Sequence, residues 1–406
     1  MAQYYGIDFL RRKRASKEGR VALRYLYYEM KNAVEDFNIV IPAKWSWLSA
    51  CLGWCGKAVD SMADRLVFDR FSNDLLQINT IYDYNSRDVL FDSSILSACI
   101  SSCCFIYISP DPSDGFPRLQ VIDGGNATGI IDPITYLLTE GYAILERDKQ
   151  TGAPILEAYF QKGRTNYYQN GKFAFSKTNA APAPLLVPII YRPDAVRPFG
   201  HSRISRACMK IEQAALRTIK RSEISAEFYS FPQKYITGLS QDAELLDKWN
   251  ATISSFLQFD KDEEGDKPTL GQFTQQSMTP FIEQMKLYAS LFSAETGLTL
   301  DDLGFPSDNP ASAEAIKATH ENLRLAARKA QRTFGVGFLN AGYLAACLRD
   351  NFPYKRRILF EMRPKWEPIF EPDSSQLAGI GDAVGKIQTA FPDYFTTEKL
   401  KEITGI

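Results

Sequence analysis

Histidine is almost missing from this chain, which carries only His201 and His320 among 406 residues, so a metal centre has few imidazoles to draw on. No Gly-x-x-x-x-Gly-Lys-[Ser/Thr] phosphate loop occurs. The glycine-rich stretch at 124–129 lacks both the lysine and a following helix. A Gly-x-Ser-x-Gly elbow is absent too, and although Gly200-His201-Ser202 sets a histidine beside a serine, adjacent side chains seldom face each other productively. No excess of charge of one sign is present: 47 Lys and Arg against 48 Asp and Glu exclude a surface that clamps nucleic acid along its whole length. Long apolar runs are also lacking. Residues 45–56 are too few to cross a bilayer and no signal core follows Arg11-Arg12-Lys13-Arg14, so the expectation is a soluble, cytoplasmic product with no membrane partner.

Apolar residues make up 45% of the chain, enough for more than one core at this length. The seven cysteines are odd in number and sit mostly in apolar runs, as small buried hydrophobes do in a reducing compartment. Cys51/Cys55 and Cys99/Cys103 are spaced like helical neighbours and read as core thiols, with no metal. The acidic run at 260–265 has the alternation of a calcium loop, but Gly271 stands where the bidentate glutamate belongs, so a solvated turn is expected. The basic run at 11–14 reads as a solvated terminal segment. No catalytic constellation, cofactor or metal site emerges.

Helices are expected at 16–27 and 45–70, followed by an antiparallel β region with strands at 105–109, 119–122, 143–147, 156–161 and 165–175, the last turned at Asn170-Gly171. A strand at 186–191 closes it. A long helix should start near Ser202 or Ser205, with a thin stripe of mostly small residues from Ile204 through Cys208, Ile211, Ala215, Thr218 and Ser222 to Ala226. Phe231-Pro232 ends it. A small insert follows, with strands at 234–237, 256–259 and 269–273 and a helix near 242–254. Thr279-Pro280 opens another helix, which Gly297 stops. Residues 298–310 are too rich in Asp, Gly and Pro for regular structure. From 311 to 348 a helix of roughly 55 Å is expected, bent near Gly335 and Gly337. A strand at 357–362 and a helix from Ser374 or Ser375 complete the chain.

Three stretches in this order carry a family resemblance: Arg197-Pro198-Phe199-Gly200-His201-Ser202-Arg203-Ile204, Phe231-Pro232-Gln233-Lys234-Tyr235-Ile236-Thr237-Gly238, and Leu303-Gly304-Phe305 with Ser312-Ala313-Glu314-Ala315-Ile316-Lys317-Ala318. The chain resembles the portal proteins of tailed bacteriophages over nearly its whole length. That resemblance implies an α+β, portal-type subunit. Its parts would be a mixed α/β wing (1–201), stem helix 1 (202–230), an α/β clip (231–278), stem helix 2 (279–297), a tunnel loop (298–310), a long wing helix with return strand (311–372) and a short helical crown (373–406).

The function implied is a ring homo-oligomer, usually a dodecamer in this family, at a capsid vertex of the virion. It would be assembled in the host cytoplasm and serve genome packaging and ejection without being an enzyme. The partners implied are further copies of the chain, the terminase large subunit, head-tail connector or adaptor proteins, the major capsid or scaffold protein, and double-stranded DNA passing without sequence specificity. Loop residues Asp301, Asp302, Ser307, Asp308 and Asn309 would line the channel, their carboxylates repelling phosphates so that DNA slides. On the first stem helix Lys210, Arg217, Lys220 and Arg221 are the candidate lumen residues. Two alternatives stand beside this reading: a ring-forming phage structural or adaptor protein without a DNA channel, and an uncharacterised hydrolase whose pocket would gather perturbed ionisable groups.

Overall fold

The computed structural model describes residues 5–35, 49–230, 234–237, 269–272, 277–306, 318–370, 374–391 and 394. In chain order the elements are α1 (Ile7–Tyr28), α2 (Trp54–Ala63), β1 (Phe68–Ser72), α3 (Ile78–Tyr84), α4 (Arg87–Ser101), β2 (Cys103–Pro110), β3 (Pro117–Ile122), β4 (Ala127–Ile131), β5 (Leu138–Arg147), β6 (Pro154–Gln161), β7 (Arg164–Gln169), β8 (Lys172–Thr178) and β9 (Leu186–Ile190). Then come α5 (Arg206–Ser230), β10 (Lys234–Thr237), β11 (Thr269–Gln272), α6 (Thr279–Thr296), α7 (Glu321–Arg349), β12 (Arg363–Trp366) and α8 (Ser374–Ala390). The chain is thus mixed α+β, with antiparallel sheets.

It divides into two compact units, one of residues 1–32, 53–209 and 293–406, the other of 33–52 and 210–292. In the first, strands run β3-β2-β9 in one sheet and β4-β5-β6-β7-β8 in another. The β7–β8 turn fits its sequence: Asn170 and Gly171 both take positive φ (49° and 79°), the two-residue geometry whose twist matches the flanking strands. The core is aromatic where α4, β1, α7 and β12 meet. Phe68 lies 4.5 Å from Phe91 and 5.0 Å from Trp366, ring centre to ring centre, and Phe91 lies 4.5 Å from Phe338.

Helix α7 buries Leu323, Ala327, Ala330, Phe334, Phe338 and Ala341, the face its spacing predicts. Gly335 and Gly337 do not interrupt it. A Cβ on Gly335 would stand 2.9 Å from Pro364 Cγ, and one on Gly337 2.8 Å from Ile189 Cδ1, so both glycines allow close packing. The described helix spans about 44 Å, and residues 311–317 lie outside the described residues.

Several sequence expectations change. Among the described residues of the helix expected at 45–70 only α2 is helical, and Phe68 and Phe71 are drawn into β1 by pairing with β12; residues 45–48 lie outside the described residues. The return strand lies at β12, after a 3-10 turn over Arg356–Phe360, not at 357–362; Pro364 is tolerated because the pair has only two strands. Helix α4, α3 and β4 were not anticipated. Cys99 ends up on α4 and Cys103 on β2, separated by Ser102 at φ 86°, while Cys51 is exposed and precedes α2, so neither cysteine pair shares a helix. The other six thiols are buried, as core thiols should be, and burial pushes Cys99 up to about 12.

The basic run at 11–14 is not a solvated tail. It belongs to α1, where Arg11 holds the buried Glu157 through Nε (3.0 Å) and Nη2 (2.7 Å), and Lys13 donates to the Gly129 carbonyl at 2.7 Å. Tyr142 also donates to Glu157. In the second unit β10 and β11 pair antiparallel from Lys234↔Gln272 to Thr237↔Thr269, the first and last strands expected of the insert. The expected strand at 256–259, helix at 242–254 and acidic turn at 260–265 lie outside the described residues.

Candidate functional site

The junction into α5 is built on backbone that few residues can adopt. Gly200 has φ 75°, and a Cβ there would sit 2.0 Å from the Tyr191 carbonyl oxygen, so this turn requires glycine. Ser202 Oγ donates to the Ile100 carbonyl (2.5 Å) and the Arg203 amide to that of Cys99 (2.9 Å), fixing the chain against the end of α4. The Arg203 guanidinium is buried. Its Nε donates to the Ala58 carbonyl and its Nη2 to that of Thr296 at 2.9 Å, tying α2, the entry to α5 and the end of α6 together. Ser205 caps α5 by accepting the Cys208 amide at 3.1 Å. His201 turns to Asp194 (2.5 Å) while Ser202 points elsewhere, so the adjacent pair forms no nucleophile and base.

Beyond α6 the chain turns at Gly297 (φ 72°), and Leu298 and Leu303 are buried on either side of a 3-10 turn over Asp301–Leu303. The turn has its own cap. Asp302 Oδ2 accepts from the Thr299 amide (3.0 Å) and hydroxyl (2.9 Å), and the Asp302 amide donates back to Thr299 Oγ1 (3.1 Å). His320 Nδ1 lies 3.7 Å from the same carboxylate. Asp301, by contrast, is exposed. The first half of this segment is therefore more ordered than its composition suggests, and the two aspartates face different surroundings. Ser307, Asp308 and Asn309 lie outside the described residues.

The α5 candidates belong to the other unit. Lys210 pairs with Glu35 at 2.8 Å and Arg217 donates to the Glu35 carbonyl at 3.3 Å, while Gln213 brackets the same segment by donating to the Ala33 carbonyl and accepting the Glu35 amide. These side chains share one helical face and hold a backbone segment to it. Lys220 is buried and Arg221 exposed. Of the expected stripe, Ile204, Cys208, Ala215 and Thr218 are buried, and Thr218 hydrogen-bonds Gln284 of α6 (3.0 Å).

One concentration of charge was missed. Lys13, Lys17, Arg20 and Arg24 recur at three-to-four spacing on α1 and join Arg197 around a cavity of about 280 Å³. The spacing alone signalled a shared face. Among the described residues no group of three or more His, Cys, Asp or Glu could hold a metal, and no helix is long and apolar enough to cross a membrane.

No family model matches the chain. It is similar to the portal protein of Mycobacterium phage D29, 26% identical over 398 aligned residues that cover 89% of this chain and 77% of the relative. Likewise it is 24% identical to the portal protein of Mycobacterium phage L5, covering 92% of this chain and 79% of that one. A chain in the neck of a native gene transfer agent particle is 14% identical with a TM-score of 0.46, covering 87% of this chain and 89% of that one, a likeness too slight to bear on function.

Proposed function

We infer that this chain, a relative of the bacteriophage portal proteins, is the subunit of a closed ring at one capsid vertex through which DNA enters and leaves the virion. The observation that carries this is similarity to two portal proteins along about nine-tenths of the chain. The order of elements agrees with the wing, stem, clip and long wing helix of such a subunit, and α8 with a short crown. A dodecamer is the proposed assembly.

In this reading α5 and α6 wall the channel, the β10–β11 insert forms the clip that receives terminase and connector proteins, and the segment from Leu298 onward lines a constriction. The chain does no bond-breaking chemistry. Its task is electrostatic: exposed carboxylates such as Asp301 keep phosphates from settling on the wall, while cations already engaged in holding the chain, such as Lys210 and Arg217, are not free to grip DNA. Negative-stain imaging and mass measurement of the purified chain test the reading. A closed ring with a passage wide enough for a duplex is expected, and a stable monomer at micromolar concentration that never closes, with or without scaffold, overturns it.

A further inference from the structure

The cavity beside α1 is lined by Lys13, Lys17, Arg20, Arg24, Arg197 and Thr128, among others. None of the five cations there makes an ion pair among the described residues. Lys13 and Arg24 hydrogen-bond to backbone carbonyls, of Gly129 (2.7 Å) and Ser101 (3.3 Å), Lys13 also lies over the Phe199 ring (5.0 Å), and Arg197 meets His201 Nδ1 (3.4 Å). Lys17 lies over the rings of Phe105 (5.3 Å) and Phe199 (5.8 Å), which sheathe its ammonium in apolar surface. Nearby Asp123 is already engaged, accepting from the Gly125 amide (2.6 Å) and Asn126.

A second observation points into the same cavity. Thr128 is 1% exposed and its hydroxyl has no hydrogen-bond partner, which is costly for a buried polar group unless something fills the space beside it. Burial first, and neighbouring cations to a lesser degree, push Lys13 and Lys17 down from the usual lysine value.

We propose that this pocket binds a phosphate-bearing anion. Three guanidinium groups offer planar forks that suit tetrahedral oxyanions, two ammonium groups add point charges, and the Thr128 hydroxyl supplies a neutral donor. A single carboxylate carries too little charge for five cations and has no third oxygen for the hydroxyl. The phosphate can arrive on a free small anion or on a nucleic-acid backbone.

Calorimetric titration of the full-length chain with pyrophosphate at low salt tests the site. Saturable binding is expected, weakened about tenfold or more by Lys17→Gln or Arg20→Gln. It should be unchanged by Arg12→Gln, which removes the same charge from an exposed position on the same helix. Thr128→Val, nearly isosteric, should leave the unliganded melting temperature unchanged or raised while reducing affinity. A short DNA duplex that displaces pyrophosphate identifies the backbone as the source; a duplex that does not leaves the free anion. The proposal is overturned by the absence of saturable binding, or by Arg12→Gln weakening it as much as Lys17→Gln.

Discussion

Replacing Arg203 by methionine should loosen the start of α5 more than any other single change there. The side chain is buried and makes two charge-assisted hydrogen bonds to carbonyls, of Ala58 and Thr296, which belong to α2 and the end of α6. Methionine has comparable reach but no donors, so both carbonyls lose their guanidinium partner inside the fold. At about 1.5–3 kcal/mol for each bond to a charged group, less some relaxation, the loss is on the order of 3–5 kcal/mol. For a chain of this size that lowers the melting temperature by on the order of 4–6 °C. Arg203→Lys keeps a charge but offers a single donor centre, and should lose roughly half as much. The assay is thermal melting followed by circular dichroism, with parent and variants compared in the same oligomeric state, since assembly itself stabilises. A methionine variant melting within about 2 °C of the parent would refute the view that Arg203 fixes this junction.

Glu157→Leu should cost about 2–4 kcal/mol by stranding Arg11 and the Tyr142 hydroxyl; the double change Glu157→Leu with Arg11→Met should cost less than Glu157→Leu alone, as a double-mutant cycle in urea would reveal. Gly342→Leu drives a side chain into Ile78, whose Cγ2 lies 2.1 Å from where even a Cβ would stand, and should destabilise by about 1–3 kcal/mol in the same assay despite better helix propensity. The Arg349 hydrogen bond holds the Asp350 carboxyl below its ordinary range. Its contribution is therefore present above the unfolded carboxylate pKa and lost as pH falls through the folded one, so Asp350→Asn should flatten the acid side of the stability profile by less than about 1 kcal/mol. Asp301→Lys with Asp308→Lys should leave ring assembly intact but slow DNA packaging, with relief as salt rises; unchanged packaging at low salt would remove the loop from the channel.

The strands of the β region were legible as short apolar or alternating runs, some ending at a recognisable turn, as at Asn170-Gly171. The long helices were legible because α5 and α7 carry faces of constant spacing, Cys208 to Thr218 in one and Leu323 to Ala341 in the other. The failures arose where a distant partner decides. The helical spacing of Val59, Met62 and Leu66 carries the expected helix on towards residue 70, and only pairing with Arg363–Trp366 makes Phe68–Ser72 a strand. Ala127–Ile131 was missed because Ala127 and Gly129 carry little strand signal, although Gly129 and Gly141 pair directly across β4 and β5. The start of α1 was misjudged for a different reason. A run of four cations reads as solvated until Glu157, far along the chain, is placed opposite Arg11.

The same lesson applies to the aspartates after α6. As a sequence, Asp301, Asp302 and Asp308 look like three equivalent charges on a hydrated loop. Asp302 is instead committed: its carboxylate closes the Thr299 cap and lies near His320 at the start of α7, so it holds the turn that buries Leu298 and Leu303. Replacing it would disturb a folded turn and confuse loss of structure with loss of charge. Asp301, exposed one residue earlier, can contribute field without contributing to that cap. If the proposed constriction holds, its repulsive charge sits on a turn whose conformation is fixed by the neighbouring residue. The charge would then meet passing phosphates at a constant position, and the wall could stay non-adhesive without the segment rearranging as DNA moves.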